Sequence, residues 1–288
     1  MKKLVSTFLL LTILINTVGC FKRDTFEDIN IYTTAYPIKY ITEYLYGEHS
    51  TVYSIYPTGV DISKYKLTKK QMNDYSESNL FIFNGLSNEK DYVIPMIKNN
   101  NNLKIIDTSL TMEYESNIEE LWLNPSNFLM LTQNIRNGLK EYINNHYLKT
   151  EINEQYNDLK VKISELDAEL KLMSESADDT TIVIASDMFN FLDKYDFNVI
   201  SIEENDNLTE KKIIDVENLI LNGTVEYIFL PDSMQESETI KRIKADTNVE
   251  VISLHTISNL TEDQVNAKKD YISLMNENIE ALKNELYN

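Results

Sequence analysis

Residues 150–174 read TEINEQYNDLKVKISELDAELKLMS, and this stretch decides the fold. Its apolar residues Ile152, Tyr156, Leu159, Ile163, Leu166, Leu170 and Met173 are spaced 4, 3, 4, 3, 4, 3. That spacing draws one apolar stripe along a helix, with Glu, Asp, Lys and Asn on the remaining faces. Thr150 is the expected N-cap, and the polar run from Ser174 to Asp179 the expected stop. At about 1.5 Å per residue the rod is roughly 36 Å long, about the width of a small domain. Three heptads would also suit a coiled coil, but each flank reads as its own α/β unit. The rod is therefore expected to lie across two lobes and pack against both.

On the N-terminal side, short β-branched and aromatic runs alternate with helical spacing. Strands are expected at 29–34, 51–56, 79–83 and 104–107. Helical spacing runs from Ile38 to Leu45, from Lys69 to Glu77 with Thr68 as cap, and from Phe128 to Tyr147. On the C-terminal side, strands are expected at 180–185, 198–202, 226–230 and 249–254. The helices there are expected at 188–195, 209–222, 237–247 and, as one piece, 261–286. Alternation of this kind predicts parallel sheets. The fold class is thus α/β, with two Rossmann-like lobes, one long rigid helix joining them and a ligand cleft between. The expected division is 29–149 for the first lobe, 150–175 for the connecting helix and 176–288 for the second lobe. Ligands in such sheets sit outside the carboxyl ends of the strands, which marks the loops after Tyr56 and Phe83 and the residues Asp187, Asp232 and His255. Glu203, Glu204 and Asp206 form a further acidic loop after a strand.

The chain has 288 residues, 42% of them hydrophobic and 25% charged, enough for two globular cores. A formal net charge of −19 argues against nucleic acid as a partner, because phosphate binding needs clustered Lys and Arg. Lys2 and Lys3 precede an apolar run from Leu4 to Val18, too short for a comfortable membrane span. Gly19 and Cys20 follow, and Cys20 is the single cysteine. This start resembles a bacterial lipoprotein signal: 1–19 is the expected signal peptide, Cys20 the lipidated residue and 20–28 a tether. The expected location is extracytoplasmic, lipid-anchored to the bacterial cell membrane. A lone cysteine also leaves no disulfide framework.

A more specific resemblance runs through the rest of the chain. Thr34 to Pro37, then YPTGVDISKYKLT (56–68), SNLFIFNGL (78–86) and LWLNP (121–125) follow in order. ASDMF (185–189), SLHTISNLTE (253–262) and DYISLMNEN (270–278) continue the series. Together these resemble the zinc/manganese-binding lipoproteins that serve ABC importers, over essentially the whole mature chain. The resemblance implies two α/β lobes with a metal buried between them, a permease partner and membrane attachment through the lipid; a monomer is expected. Its ligand positions fall on Ser63, Glu120, Ser186 and His255, where the family has His at the first three. Asp187 adjoins the third. The altered set leaves zinc or manganese as the divalent metal implied by resemblance, at a degenerate site. Zinc favours imidazole and thiolate, while oxygen-rich sets suit manganese, calcium or magnesium. Glu120, Asp187 and His255, with Asp61 or Asp232, are the alternative oxygen-rich set.

Two functions follow as expectations. One is a substrate-binding lipoprotein whose metal specificity is changed or lost. The other is a surface adhesin or structural lipoprotein that keeps the fold. An enzyme is not expected, since no G-x-S-x-G, P-loop, H-E-x-x-H or C-x-x-C stands in the sequence. His49 and His146 read as surface residues. The Tyr36, Tyr40, Tyr44 stripe reads as a helix face packed on the sheet; the sharper idea is that these three, with Tyr56 and Tyr65, line a cleft for an aromatic or amphipathic solute.

Overall fold

Asn145 accepts a hydrogen bond from the Tyr147 amide and so caps the longest helix, α6 (His146–Ser176). The computed structural model describes residues 26–287; Cys20 and the signal segment lie outside the described residues. The helix starts four residues before the expected cap. Thr150 lies inside it and donates its hydroxyl to the His146 carbonyl, because nothing at 146–149 stops the helix and Asn145 is the stronger cap. The predicted stripe from Ile152 to Met173 is buried throughout, and Leu148 extends it.

The first sheet holds β1 (Ile29–Thr33), β2 (Ser50–Ser54), β3 (Leu80–Phe83) and β4 (Lys104–Asp107), all parallel, in the order β2-β1-β3-β4. The second holds β5 (Thr181–Ile184), β6 (Asn198–Ser201), β7 (Tyr227–Pro231) and β8 (Glu250–Leu254), again parallel, in the order β6-β5-β7-β8. The two lobes thus repeat one topology. Strands β3 and β5 are buried at every residue, as expected for parallel strands covered on both faces.

Around the first sheet stand α1 (Tyr36–Tyr46), α2 (Lys69–Ser76), α3 (Lys90–Asn99), α4 (Glu120–Leu123) and α5 (Pro125–Tyr142). Around the second stand a 3₁₀ segment (Asp187–Tyr195), α7 (Glu210–Leu221), α8 (Glu238–Thr247), α9 (Glu262–Asn266) and α10 (Tyr271–Leu286). Several of these differ from expectation. Segment 187–195 is 3₁₀ rather than α, closed by Asp196 in the left-handed region at φ 64°. The final helix is two, parted where Lys268 takes φ 54° and Asp270 opens a new capping box with Ser273. Helices α3 and α4 form where no helix is expected, and α5 ends at Tyr142 rather than running on to Tyr147.

The long helix packs on α1 and α5 in the first lobe and on α10 and the 3₁₀ segment in the second. Its first half is pinned to the first lobe by His49–Glu151 (3.0 Å), Lys140–Asn153 (2.9 Å) and the Arg136 guanidinium 4.0 Å from the Tyr156 ring centre. Its second half is pinned to the other lobe by Tyr195–Asp167 (2.6 Å) and Lys283–Glu169 (2.6 Å). Apolar side chains of both sheets join the helix stripe in one cluster, from Ile31 and Ile82 through Leu159 to Ile184 and Phe229. Tyr36, Tyr40 and Tyr44 follow one another along α1 with tilted rings 6.3 and 5.9 Å apart, and Tyr40 lies 5.7 Å from Tyr271 of α10. Tyr40 is thus core and reaches the second lobe, while Tyr36 and Tyr44 are half-buried against it. Among the described residues no helix is long and apolar enough to cross a membrane.

Candidate solute cleft

The loop after β2 carries Ser63. Gly59 turns it at φ 75°, a backbone state that a side chain strains, and the loop then folds on Asp61. Asp61 Oδ1 accepts from the Ser63 amide (3.0 Å) and hydroxyl (2.6 Å), and its other oxygen meets Lys64 at 2.8 Å. Lys64 first and Ser63 second hold the Asp61 carboxyl below its ordinary value. The Ser63 hydroxyl is therefore spent on a neighbouring carboxylate.

Glu120 opens α4 and is buried. Its Oε2 accepts from the Glu115 amide at 3.0 Å, and Oε1 lies 3.7 Å from Lys194 of the 3₁₀ segment. This contact spans the two lobes. Ser186, after β5, is buried and donates its hydroxyl to Glu203 Oε2 at 3.0 Å. The Asp187 amide donates to the same oxygen at 2.6 Å, and Asn205 donates to the Asp187 carboxylate at 3.1 Å.

His255 follows β8. Its Nδ1 lies 3.1 Å from Asp232 and its Nε2 lies 3.0 Å from Glu277, which Lys269 also contacts. The Asp232 hydrogen bond, against the cost of burial, raises the imidazole above its ordinary value. Burial pushes Asp232 up, yet His255 and the amide and hydroxyl of Thr256 outweigh it and leave the carboxyl lowered. Asn278 bonds the His255 backbone on both sides, at 2.7 and 2.9 Å. Of the expected site residues, Ser63 lines a cavity of the first lobe and Asp187 a hollow of the second, Asp61, Glu120, Ser186, Asp232 and His255 line neither, and all seven have protein partners. Among the described residues no three His, Cys, Asp or Glu side chains converge as a metal-holding group.

The seam between the lobes is made largely by residues 256–260. Trp122 Nε1 donates to the Thr256 carbonyl (2.8 Å), Tyr36 N to Ser258 (3.0 Å) and Gly59 N to Leu260 (2.8 Å). Asn259 donates to the carbonyls of Pro57 (2.8 Å) and Val60 (3.1 Å), and the Tyr271 hydroxyl to that of Trp122 (2.6 Å).

Beside this seam, at the carboxyl ends of β2 and β3, lies a cavity of about 730 Å³ in the first lobe. Tyr56, Ser63, Tyr65, Tyr92, Trp122, Glu89 and Glu119 line it. Glu89 is buried; Tyr56 donates to it at 3.1 Å and the Asn84 amide at 3.0 Å, yet burial still raises its carboxyl. Glu119 is raised by burial, then by the negative charges of Asp61 and Glu203 across the cleft. A smaller hollow of about 230 Å³ lies beside Asp187, Glu203, Asn205 and Lys212 in the second lobe. Glu89, Glu119, Tyr92 and Glu277 escaped the sequence reading. Only Glu89 carried a signal, its place just past the Asn84-Gly85 turn that ends β3.

Residues 31–285 match the family described as zinc-uptake complex component A, periplasmic (ZnuA). The chain belongs to this family. A metal ABC transporter substrate-binding lipoprotein of Lactococcus lactis subsp. lactis is 23% identical over 309 residues, covering 98% of this chain and 96% of that protein. The zinc-binding protein AdcA of Streptococcus pyogenes serotype M1 is 20% identical over 293 residues, covering 88% of this chain; there the chain spans only 55% of its relative's length. The Zn(II)-bound ZnuA-like domain of Streptococcus pneumoniae AdcA superposes with a TM-score of 0.74 at 20% identity, over 91% of this chain and 100% of that one. This likeness establishes the fold.

Proposed function

We propose that this ZnuA-family chain is the extracytoplasmic substrate-binding lipoprotein of an ABC importer, and that its metal preference is changed or lost. In this reading Cys20 anchors the chain, residues 20–28 tether it, and lobes 29–149 and 176–288 close on solute about the 150–175 helix as a monomer that delivers to a permease. The family match over residues 31–285 and the lipoprotein relative matched along 96% of its length support the transport role. The observation that carries the altered preference is the chemistry of the four aligned positions. Two are serine hydroxyls already donating to Asp61 and Glu203, one is a carboxylate beside Lys194, and one is an imidazole with a carboxylate on each nitrogen. Un-ionised hydroxyls are poor zinc donors, and a closed zinc site takes four nitrogen, sulfur or carboxylate ligands. Binding there would require breaking these contacts first.

Calorimetric titration with zinc and with manganese tests this. The natural chain should bind zinc far more weakly than the triple variant Ser63→His, Glu120→His, Ser186→His, in which His255 completes four ligands. Submicromolar zinc binding by the natural chain would defeat the altered preference. If neither protein binds a divalent cation and loss of the chain leaves cellular uptake unchanged, the surface-adhesin function takes its place.

A further inference from the structure

The cavity in the first lobe is built for something larger than an ion. At about 730 Å³ it falls in the range of small-molecule pockets, roughly 300–1,000 Å³. Its walls come from the loops after β2, β3 and β4, the edge where parallel sheets place ligands. Four of its aromatic side chains have a polar end in a hydrogen bond. The Tyr56 hydroxyl donates to Glu89, the Tyr65 hydroxyl accepts from Gln71 (2.7 Å), the Tyr92 hydroxyl accepts from the Leu67 amide (3.4 Å), and the Trp122 indole N–H donates to Thr256. Tyr56 and Trp122 are themselves buried, so the ring surface open to the space comes from Tyr65, Tyr92 and Tyr114. The charged lining is unequal: Glu89, Asp91 and Glu119 against Lys66. Glu89 is occupied by Tyr56 and the Asn84 amide, whereas Glu119 has no ion-pair partner among the described residues.

Ring faces attract cations through their quadrupoles, and a half-buried carboxylate without a cation attracts them further. We infer that the first-lobe cavity binds an organic cation, an ammonium group carried on an apolar body, with the ammonium toward Glu119 and the body against Tyr65, Tyr92 and Tyr114. This deepens the importer reading, on which it rests for the ligand's role as cargo; the binding itself rests on the cavity. The ion that the family frame implies would occupy a small part of this volume, and the ring walls supply it no ligand.

Three probes of one shape and different charge test it: phenethylammonium, 2-phenylethanol and 3-phenylpropanoate, titrated into the purified full chain by calorimetry, with quenching of the single Trp122 as a second readout. The cation should bind about tenfold more tightly than the neutral alcohol, and the anion should bind least. Glu119→Gln should remove most of the cation's advantage and leave the alcohol unchanged, a pattern that general loss of folding would not give. Equal binding of all three, no binding of the cation up to about 10 mM, or an unaltered cation affinity in Glu119→Gln would overturn the inference. A zinc titration of the same sample separates the two readings. Weak zinc with no cation binding ends the cavity proposal and leaves the importer reading standing. Submicromolar zinc ends the altered-preference reading whatever the amine does.

Discussion

Glu89 shows how one buried carboxylate can set a pH dependence. Two donors, the Tyr56 hydroxyl and the Asn84 amide, favour its charged form, but loss of water outweighs them and its carboxyl is raised. A group raised in the folded chain contributes stability that is full below its unfolded value and is lost as pH rises through the folded one. Relative to wild type, Glu89→Gln should therefore gain stability as pH climbs from about 4 toward neutrality, because glutamine does not ionise. Urea melts of both proteins across that range would show it; a constant difference at every pH would mean that Glu89 is not the titrating group. At this scale the sequence discloses positions but not partners. Flanking residues such as Tyr65, Trp122 and Phe189 point by resemblance to Ser63, Glu120 and Ser186 as the positions to examine. The groups that occupy those side chains arrive from elsewhere: Glu203 lies 17 residues from Ser186, and Glu277 lies 22 from His255 on another helix. No local spacing announces such pairs.

At the scale of the element, α5 contains a glycine whose substitution should run against helix propensity. Alanine is favoured over glycine inside a helix by about 1 kcal/mol. A Cβ on Gly138, however, would come 2.7 Å from Ile106 Cγ1 and 2.8 Å from its Cδ1 and Cγ2 on β4. Overpacking of that kind costs about 1–3 kcal/mol, so Gly138→Ala should destabilise. The penalty should shrink when Ile106→Val removes the Cδ1 methyl, and thermal melts of the two single variants and the double variant measure that coupling. A stabilised Gly138→Ala would show that α5 can move away from the sheet. The elements themselves were readable where burial has a clean period. The 4, 3 alternation of α6 and the short apolar runs of the eight strands are such cases. Helix α3 was not readable because Pro95 sits within it and removes one backbone donor. Val93 and Met96 are buried against the sheet, and that packing outweighs the lost bond. The break between α9 and α10 was hidden for a related reason: spacing continues across it, while Lys268 at φ 54° reverses the chain.

For the molecule as a whole, the decisive feature is that its main core does not stop at the lobe boundary. Side chains of both sheets and of α1, α5 and α10 meet on the stripe of α6, and Phe128 of the first lobe stacks on Tyr271 of the second at 3.7 Å. Lobes with separate cores and a thin hinge unfold in separate steps, whereas a shared core couples them. The chain should therefore lose both lobes in one transition. Trp122, the only tryptophan, is buried at the seam and tied to Thr256 and Tyr271, so its fluorescence reports the junction while far-ultraviolet circular dichroism reports the helices. The two signals should share one urea midpoint. Leu159→Ala, which empties the middle of the stripe, should shift both midpoints together at a cost of about 2–5 kcal/mol. Two midpoints in the parent, or a Leu159→Ala shift confined to one signal, would mean that the lobes stand independently and that α6 is a strut rather than the centre of a common core.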